Sequence, residues 1–189
     1  YMFGFEEDCF DKHNVDVIEF CKMTKAEVQA LAADGSHVVR DASLNNSGMV
    51  YAIAGPPEVV DGAEANVIRV ATTEGAVFSC FNGAAYSSPF FNCIKLKDIR
   101  GLDLFYTGEE TSFNNFFCYC KALKELDLSG FNTSKVKDMS HMFSNCEALT
   151  SLNLSNFDTS CVENMSYMFA ACSSLEQLDL SSFDTSKVT

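Results

Sequence analysis

Three residues at equal intervals, Asp127, Asn153 and Asp179, are the positions in this chain best placed for chemistry. Each stands between two leucines, and each has a polar residue two places before it, Glu125, Ser151 or Gln177. Stacked carboxylates and amides of this kind could bind a basic peptide, hydrogen-bond a glycan or hold Ca²⁺ weakly. The plainer reading is a solvated face kept polar against aggregation. Other chemistry is harder to find. His13, His37 and His141 are the only histidines, and His141 stands where neighbouring copies of a repeat carry Asn115 and Tyr167, a position that tolerates any exposed residue. Cys118-Tyr119-Cys120 is too short for a zinc-binding pair, and no second pair completes four ligands. Gly-rich phosphate loops and Gly-x-Ser-x-Gly are absent. No catalytic residue, metal or cofactor is expected.

The elements that position the row come from a repeat. Cys120, Leu123, Leu126, Leu128, Phe131 and Val136 return as Cys146, Leu149, Leu152, Leu154, Phe157 and Val162, and again as Cys172, Leu175, Leu178, Leu180, Phe183 and Val188, always 26 residues on. One copy cannot bury its own apolar edge, whereas stacked copies form a continuous core. The last two leucines of Leu-x-x-Leu-x-Leu are spaced to share one face of a short strand, so Asp127, Asn153 and Asp179 point the other way. Equivalent strands are then expected about 4.8 Å apart in a parallel sheet. Asn132-Thr133-Ser134, Asp158-Thr159-Ser160 and Asp184-Thr185-Ser186 read as a recurring turn. Val136, Met139, Met142 and Phe143, with Val162, Met165, Met168 and Phe169, suit a short helical or 3₁₀ turn at the back of that sheet, its methionines filling core gaps.

Nine cysteines are an odd number. Cys120, Cys146 and Cys172 share one repeat position and are expected as buried thiols. Cys161, whose repeat mates are Lys135 and Lys187, reads as a lone surface thiol; pairing among Cys9, Cys21, Cys80, Cys93 and Cys118 stays open.

Upstream, Thr24-Lys25-Ala26-Glu27 has capping-box spacing. A helix is expected from Lys25 to about Ala33, with Val28, Leu31 and Ala32 buried and Gly35 as its left-handed stop. Tyr1 to Phe20 mixes acidic and aromatic residues without a convincing period, and the echo of Tyr167-Met168-Phe169 in Tyr1-Met2-Phe3 is read as chance. Short β-rich runs follow at Val38-Val39, Met49 to Ile53, Val67 to Ala71 and Ala76 to Phe81, separated by Asn45-Asn46-Ser47-Gly48, Gly55-Pro56-Pro57 and Glu74-Gly75; Asn82-Gly83 reads as a further turn. The expected domains are an α+β head over residues 1–88 and a repeat solenoid over 89–189. Within the solenoid, 89–115 is a degenerate capping unit, because Cys93 precedes Cys120 by 27 residues, and 116–189 holds the regular copies.

Acidic residues outnumber basic ones 26 to 13 and the net charge is −13, which disfavours nucleic acid as a partner. No run approaches the roughly 18 apolar residues of a membrane span. The chain stops at Thr189 in mid-repeat, so further repeats are expected beyond it; left open, the apolar end formed by Leu175, Leu178, Leu180 and Phe183 is expected to fray or to pair end to end with another copy.

Asn164-Met165-Ser166-Tyr167-Met168-Phe169, Cys172-Ser173-Ser174-Leu175, Leu178-Asp179-Leu180-Ser181 and Phe183-Asp184-Thr185-Ser186-Lys187-Val188-Thr189 resemble the repeat of BspA-type leucine-rich-repeat surface proteins of bacteria. The resemblance runs from about Phe116 to Thr189. It implies a leucine-rich-repeat solenoid with a short parallel β-sheet, on a cell-surface or secreted protein that attaches to host or neighbouring-cell components, without catalysis. The leading expectation is thus a binding module for a protein or glycan ligand. Two others stand beside it: a structural or assembly module, such as a phage-fibre or cell-wall component, and a spacer carrying an enzymatic head in Tyr1 to Ala85.

Overall fold

Thr24 opens the one α-helix among the described residues, which in this computed structural model are 12–41, 50–73, 78–79 and 89–189. The Thr24 hydroxyl accepts the Glu27 N–H at 3.2 Å and Glu27 Oε2 accepts the Thr24 N–H at 2.7 Å, so the capping box forms and α1 runs Lys25–Ala33. Gly35 ends it at φ +73°. The buried stripe is narrower than expected: Val28 is buried, Leu31 half-buried and Ala32 exposed.

The described residues hold nine strands, in chain order β1 Val17–Lys22, β2 Val38–Asp41, β3 Val50–Ala54, β4 Glu58–Val60, β5 Ala63–Ala65, β6 Val67–Thr72, β7 Phe78–Ser79, β8 Asp98–Arg100 and β9 Phe105–Tyr106. Five make one mixed sheet in the order β2-β3-β6-β1-β8. β1 lies parallel to both β6 and β8, while β3 is antiparallel to β2 and β6. β1 falls in the stretch that showed no period. Its interior position explains this, because a strand covered on both faces loses the alternation that marks a half-exposed one. On one face Ile18, Phe20, Ile68 and Val70 enter the main core with Phe90 and Phe105. On the other, Cys21, Ile53 and Ala71 lie under Val28 and Leu31 of α1. Glu19 reaches across that face to Arg69 at 2.9 Å, and Arg69 also grips Glu58 with both terminal nitrogens, holding the β4–β5 hairpin down. Asp61 and Gly62, at φ +53° and +81°, make the two-residue turn of that hairpin.

The main core runs without interruption from this sheet into the repeats, from Val15 to Met168. Phe90, Phe117, Phe143 and Phe169 form one stacked column, with centroid separations of 5.2, 5.7 and 5.7 Å and nearly parallel rings. β8, from beyond residue 88, joins the sheet at β1.

The expected architecture of an α+β head followed by a leucine-rich-repeat solenoid must be corrected. The chain folds as a small β-rich protein, a mixed sheet with one helix, and every strand among the described residues lies between Val17 and Tyr106. The segments Leu126–Leu128, Leu152–Leu154 and Leu178–Leu180 form no strand and no parallel sheet. Their backbone groups are taken locally: Asp127, Asn153 and Asp179 each accept the N–H two residues ahead, and Phe131, Phe157 and Phe183 each donate back to the leucine three residues earlier. A backbone so occupied cannot form a ladder.

The 26-residue period survives as a stack of turns. Between copies the bonds run elsewhere: Phe113, Asn115, Phe117 and Tyr119 donate to the carbonyls of Asp138, Ser140, Met142 and Ser144, and Met139, His141, Phe143 and Asn145 donate to those of Asn164, Ser166, Met168 and Ala170. Isolated parallel bridges link Ser112 to Asp138 and Asp138 to Asn164. The Met-rich stretch is a chain of reverse turns rather than a 3₁₀ helix, because His141, Asn145, Tyr167 and Ala171 are left-handed, at φ +56° to +60°, and interrupt any helical run. The expectations on Tyr1-Met2-Phe3, Asn45 to Gly48, Met49, Glu74-Gly75, Asn82-Gly83, Cys9, Cys80 and most of Ala76 to Phe81 lie outside the described residues.

Candidate functional site

Asp127, Asn153 and Asp179 are all exposed; Leu128 and Leu154 are buried at 1% relative exposure, so the outward phase read from the spacing holds at Asp127 and Asn153, whereas Leu180 beside Asp179 is itself exposed. Register between copies is kept on either side of the row. Thr150 donates its N–H to the Lys124 carbonyl at 3.1 Å, and the Asn156 amide donates to the carbonyls of Leu128 and Phe131 at 3.0 and 3.2 Å. Asp127 and Asp179 belong to copies two steps apart, with the Asn153 amide in the copy between them.

Each member of the row already holds a turn. Asp127 Oδ1 accepts the Ser129 N–H at 2.9 Å, Asn153 Oδ1 that of Ser155 at 3.0 Å, and Asp179 Oδ1 that of Ser181 at 2.9 Å. Asx turns of this kind recur twice more per copy: Asn132, Asp158 and Asp184 serve Ser134, Ser160 and Ser186, while Asp138 and Asn164 serve Ser140 and Ser166. The backbone N–H and hydroxyl of Ser129 hold Asp127 below the usual carboxylate range, and Ser181 does the same to Asp179. What the geometry leaves uncommitted is the neighbouring row. Glu125, Ser151 and Gln177 are exposed and make no side-chain hydrogen bond or ion pair among the described residues.

The cysteine column lies on the inner side. Cys120, Cys146 and Cys172 donate their thiols to the carbonyls of Phe90, Phe117 and Phe143 at 3.1 to 3.2 Å. Cys120 and Cys146 are fully buried and Cys172 partly. Burial pushes Cys146 up to about 12 and Cys120 well above its ordinary value. Cys161 is half-buried rather than a fully exposed thiol.

Two positioning features escaped the sequence reading. Asn156 clamps the preceding copy, yet its repeat mates are Gly130 and Ser182, so no period pointed to it. Thr107, Thr133 and Thr159 are buried. Thr133 and Thr159 donate to the carbonyls of Asp158 and Asp184 at 2.9 and 3.2 Å, and Thr107 accepts the Asn132 N–H at 2.7 Å. Their recurrence was visible, but their inward direction was not. Among the described residues no group of His, Cys, Asp and Glu is arranged to hold a metal ion, and no helix is long and apolar enough to cross a membrane.

These features define a β-rich protein with a turn-built repeat section that presents rows of polar side chains. Residues 88–189, more than half the chain, match the family described as Mycoplasma protein of unknown function, DUF285, and the chain belongs to that family. No curated protein and no solved structure matches it.

Proposed function

We propose that this chain is a non-catalytic binding module of a bacterial cell-surface or secreted protein, which attaches to a protein or glycan on a host or neighbouring cell. The observation that carries the reading is the pairing of two adjacent rows. Asp127, Asn153 and Asp179 are locked by their own turns, so the face is rigid; Glu125, Ser151 and Gln177 stand beside them, exposed, uncommitted and different in every copy. A rigid frame with variable outward positions suits partner selection, because little side-chain order remains to be lost on binding. The resemblance of Asn164 to Thr189 to the repeat of BspA-type surface proteins supports the same role and the extracellular location.

The test is an array of glycans and matrix proteins probed with this chain and with a variant carrying Glu125→Ala, Ser151→Ala and Gln177→Ala. Loss of a ligand at unchanged melting temperature supports the reading. Full retention of every ligand would leave this face as a solvated surface only.

A further inference from the structure

Non-glycine residues with positive φ recur in two columns along the repeat ribbon. Asn115, His141 and Tyr167 stand at +57°, +56° and +57°, two residues before the column phenylalanine of each copy, Phe117, Phe143 and Phe169. Tyr119, Asn145 and Ala171 stand at +63°, +60° and +56°, two residues after it. Glycine adopts this conformation without penalty and Asn and His enter it more readily than most residues, whereas a tyrosine there, as at Tyr119 and Tyr167, is a clear outlier. No copy carries glycine at either position. Tyr119 and Tyr167, held against that backbone preference, point to a use for their side chains.

The side chains have a common chemistry. The rings of His141 and Tyr167 stack at 5.0 Å and 12°, and Tyr119 meets Phe91 edge to face at 6.2 Å. Tyr167 is well exposed, Tyr119 and Phe91 less so, and Asn115, His141 and Asn145 are half-buried. The amides of Asn115 and Asn145 each donate one N–H to the residue before, Asn114 and Ser144, and their oxygens have no partner among the described residues. Lys121 lies over the Tyr119 ring at 6.0 Å and is paired with Glu147 at 2.7 Å. On a chain of net charge −13, the strip's own side chains are aromatic rings and amides.

We infer that the strip formed by Asn115, Tyr119, His141, Asn145 and Tyr167 is a contact surface for neutral oligosaccharides. It is separate from the Asp127 row and independent of it. Aromatic faces match the C–H faces of a sugar ring, and amides offer a donor and an acceptor to adjacent hydroxyls. The overall negative charge turns away sulfated or uronic polymers and nucleic acid, leaving neutral sugars as the fitting class.

The left-handed backbone supplies an unusual test, because glycine is the residue the conformation prefers. Chitohexaose, cellohexaose and mannohexaose are titrated into the intact chain, with binding followed by saturation-transfer NMR on the tyrosine ring protons and by calorimetry. Tyr119→Gly, His141→Gly and Tyr167→Gly should keep the fold, with a melting temperature equal to or above that of the parent, while affinity for the bound sugar falls at least tenfold. Val59→Ala, an exposed position on the β4–β5 hairpin outside the repeats, is the control and should leave sugar affinity unchanged. Retained affinity in the three glycine variants overturns the inference, as does failure of all three oligosaccharides to bind. An equal loss of affinity in Val59→Ala overturns it too, because the loss would then not belong to the strip.

Discussion

Gly101 lies so close to Phe20 that a Cβ built on it would stand 2.2 Å from the Phe20 carbonyl oxygen. The contact joins the end of β8 to the middle of β1, where the sheet meets the repeat core, and Gly101 also sits at φ +73°. Gly35 has the same φ of +73° but nothing within 4 Å of its virtual Cβ. Gly35→Ala should therefore cost only the left-handed penalty, about 1 kcal/mol. Gly101→Ala adds a backbone collision and should cost about 3 kcal/mol or more. Urea denaturation of the two variants separates strain from collision. Equal losses would show that β8 can shift away from β1 freely.

Leu154 and Asn153 are neighbours with opposite duties. Leu154→Ala opens a cavity between two copies and should lose about 2 to 5 kcal/mol. Asn153 is exposed, yet its Oδ1 accepts the Ser155 N–H, so Asn153→Ala should lose about 0.5 to 1.5 kcal/mol, the worth of one such hydrogen bond. Asn153→Asp keeps the acceptor and should be close to neutral. A guanidinium series on the three variants checks the order, and a costly Asn153→Asp would show that the amide N–H groups matter.

The exposed Asx-turn carboxylates set an acid limit. Asp127 and Asp179 are held below their ordinary value by the Ser129 and Ser181 backbone N–H groups, and Asp158 and Asp184 by the Ser160 and Ser186 hydroxyls. A depressed folded-state value contributes stability above the unfolded value of 3.8, and that stability is lost as pH falls through the lowered one. Stability should thus drop below about pH 4. The drop should shrink in Asp127→Asn with Asp179→Asn, since an amide oxygen accepts the same bond at every pH. Chemical denaturation from pH 2 to 6 measures both slopes.

The thiols set the alkaline limit. Cys146 is raised from 9.0 to about 12 by burial, so the folded state holds that proton more tightly than the unfolded chain. The stability it confers is complete below pH 9 and declines as pH rises from there through about 12. Cys146→Ala should flatten the decline. Iodoacetamide applied to the native protein at pH 8 should modify Cys161 and leave Cys120 and Cys146 intact; prompt labelling of either buried thiol would mean that the core opens readily.

The 26-residue step, the burial of Cys120, Leu123, Phe131 and Val136, the outward direction of Asp127, and the capped helix from Lys25 were all legible in the sequence. Each rests on apolar spacing or on a side chain bonding to its own neighbourhood, and such preferences act over a few residues. Strand pairing acts at a distance. Nothing near Val17 states that β1 lies between β6 and β8, because that choice depends on which faces are covered once the phenylalanine core has closed. The same limit explains the leucine segments. Leu-x-Leu spacing is compatible with a strand, but whether the backbone pairs with the next copy or turns on itself is a competition between local Asx bonds and an intercopy ladder. The turns prevail at Asp127, Asn153 and Asp179, and the ladder moves to the stretches through Phe117, Phe143 and Phe169, where the ring column holds copies in register. That displacement places Tyr167 in a left-handed turn, a conformation its residue type disfavours and only the assembled stack imposes.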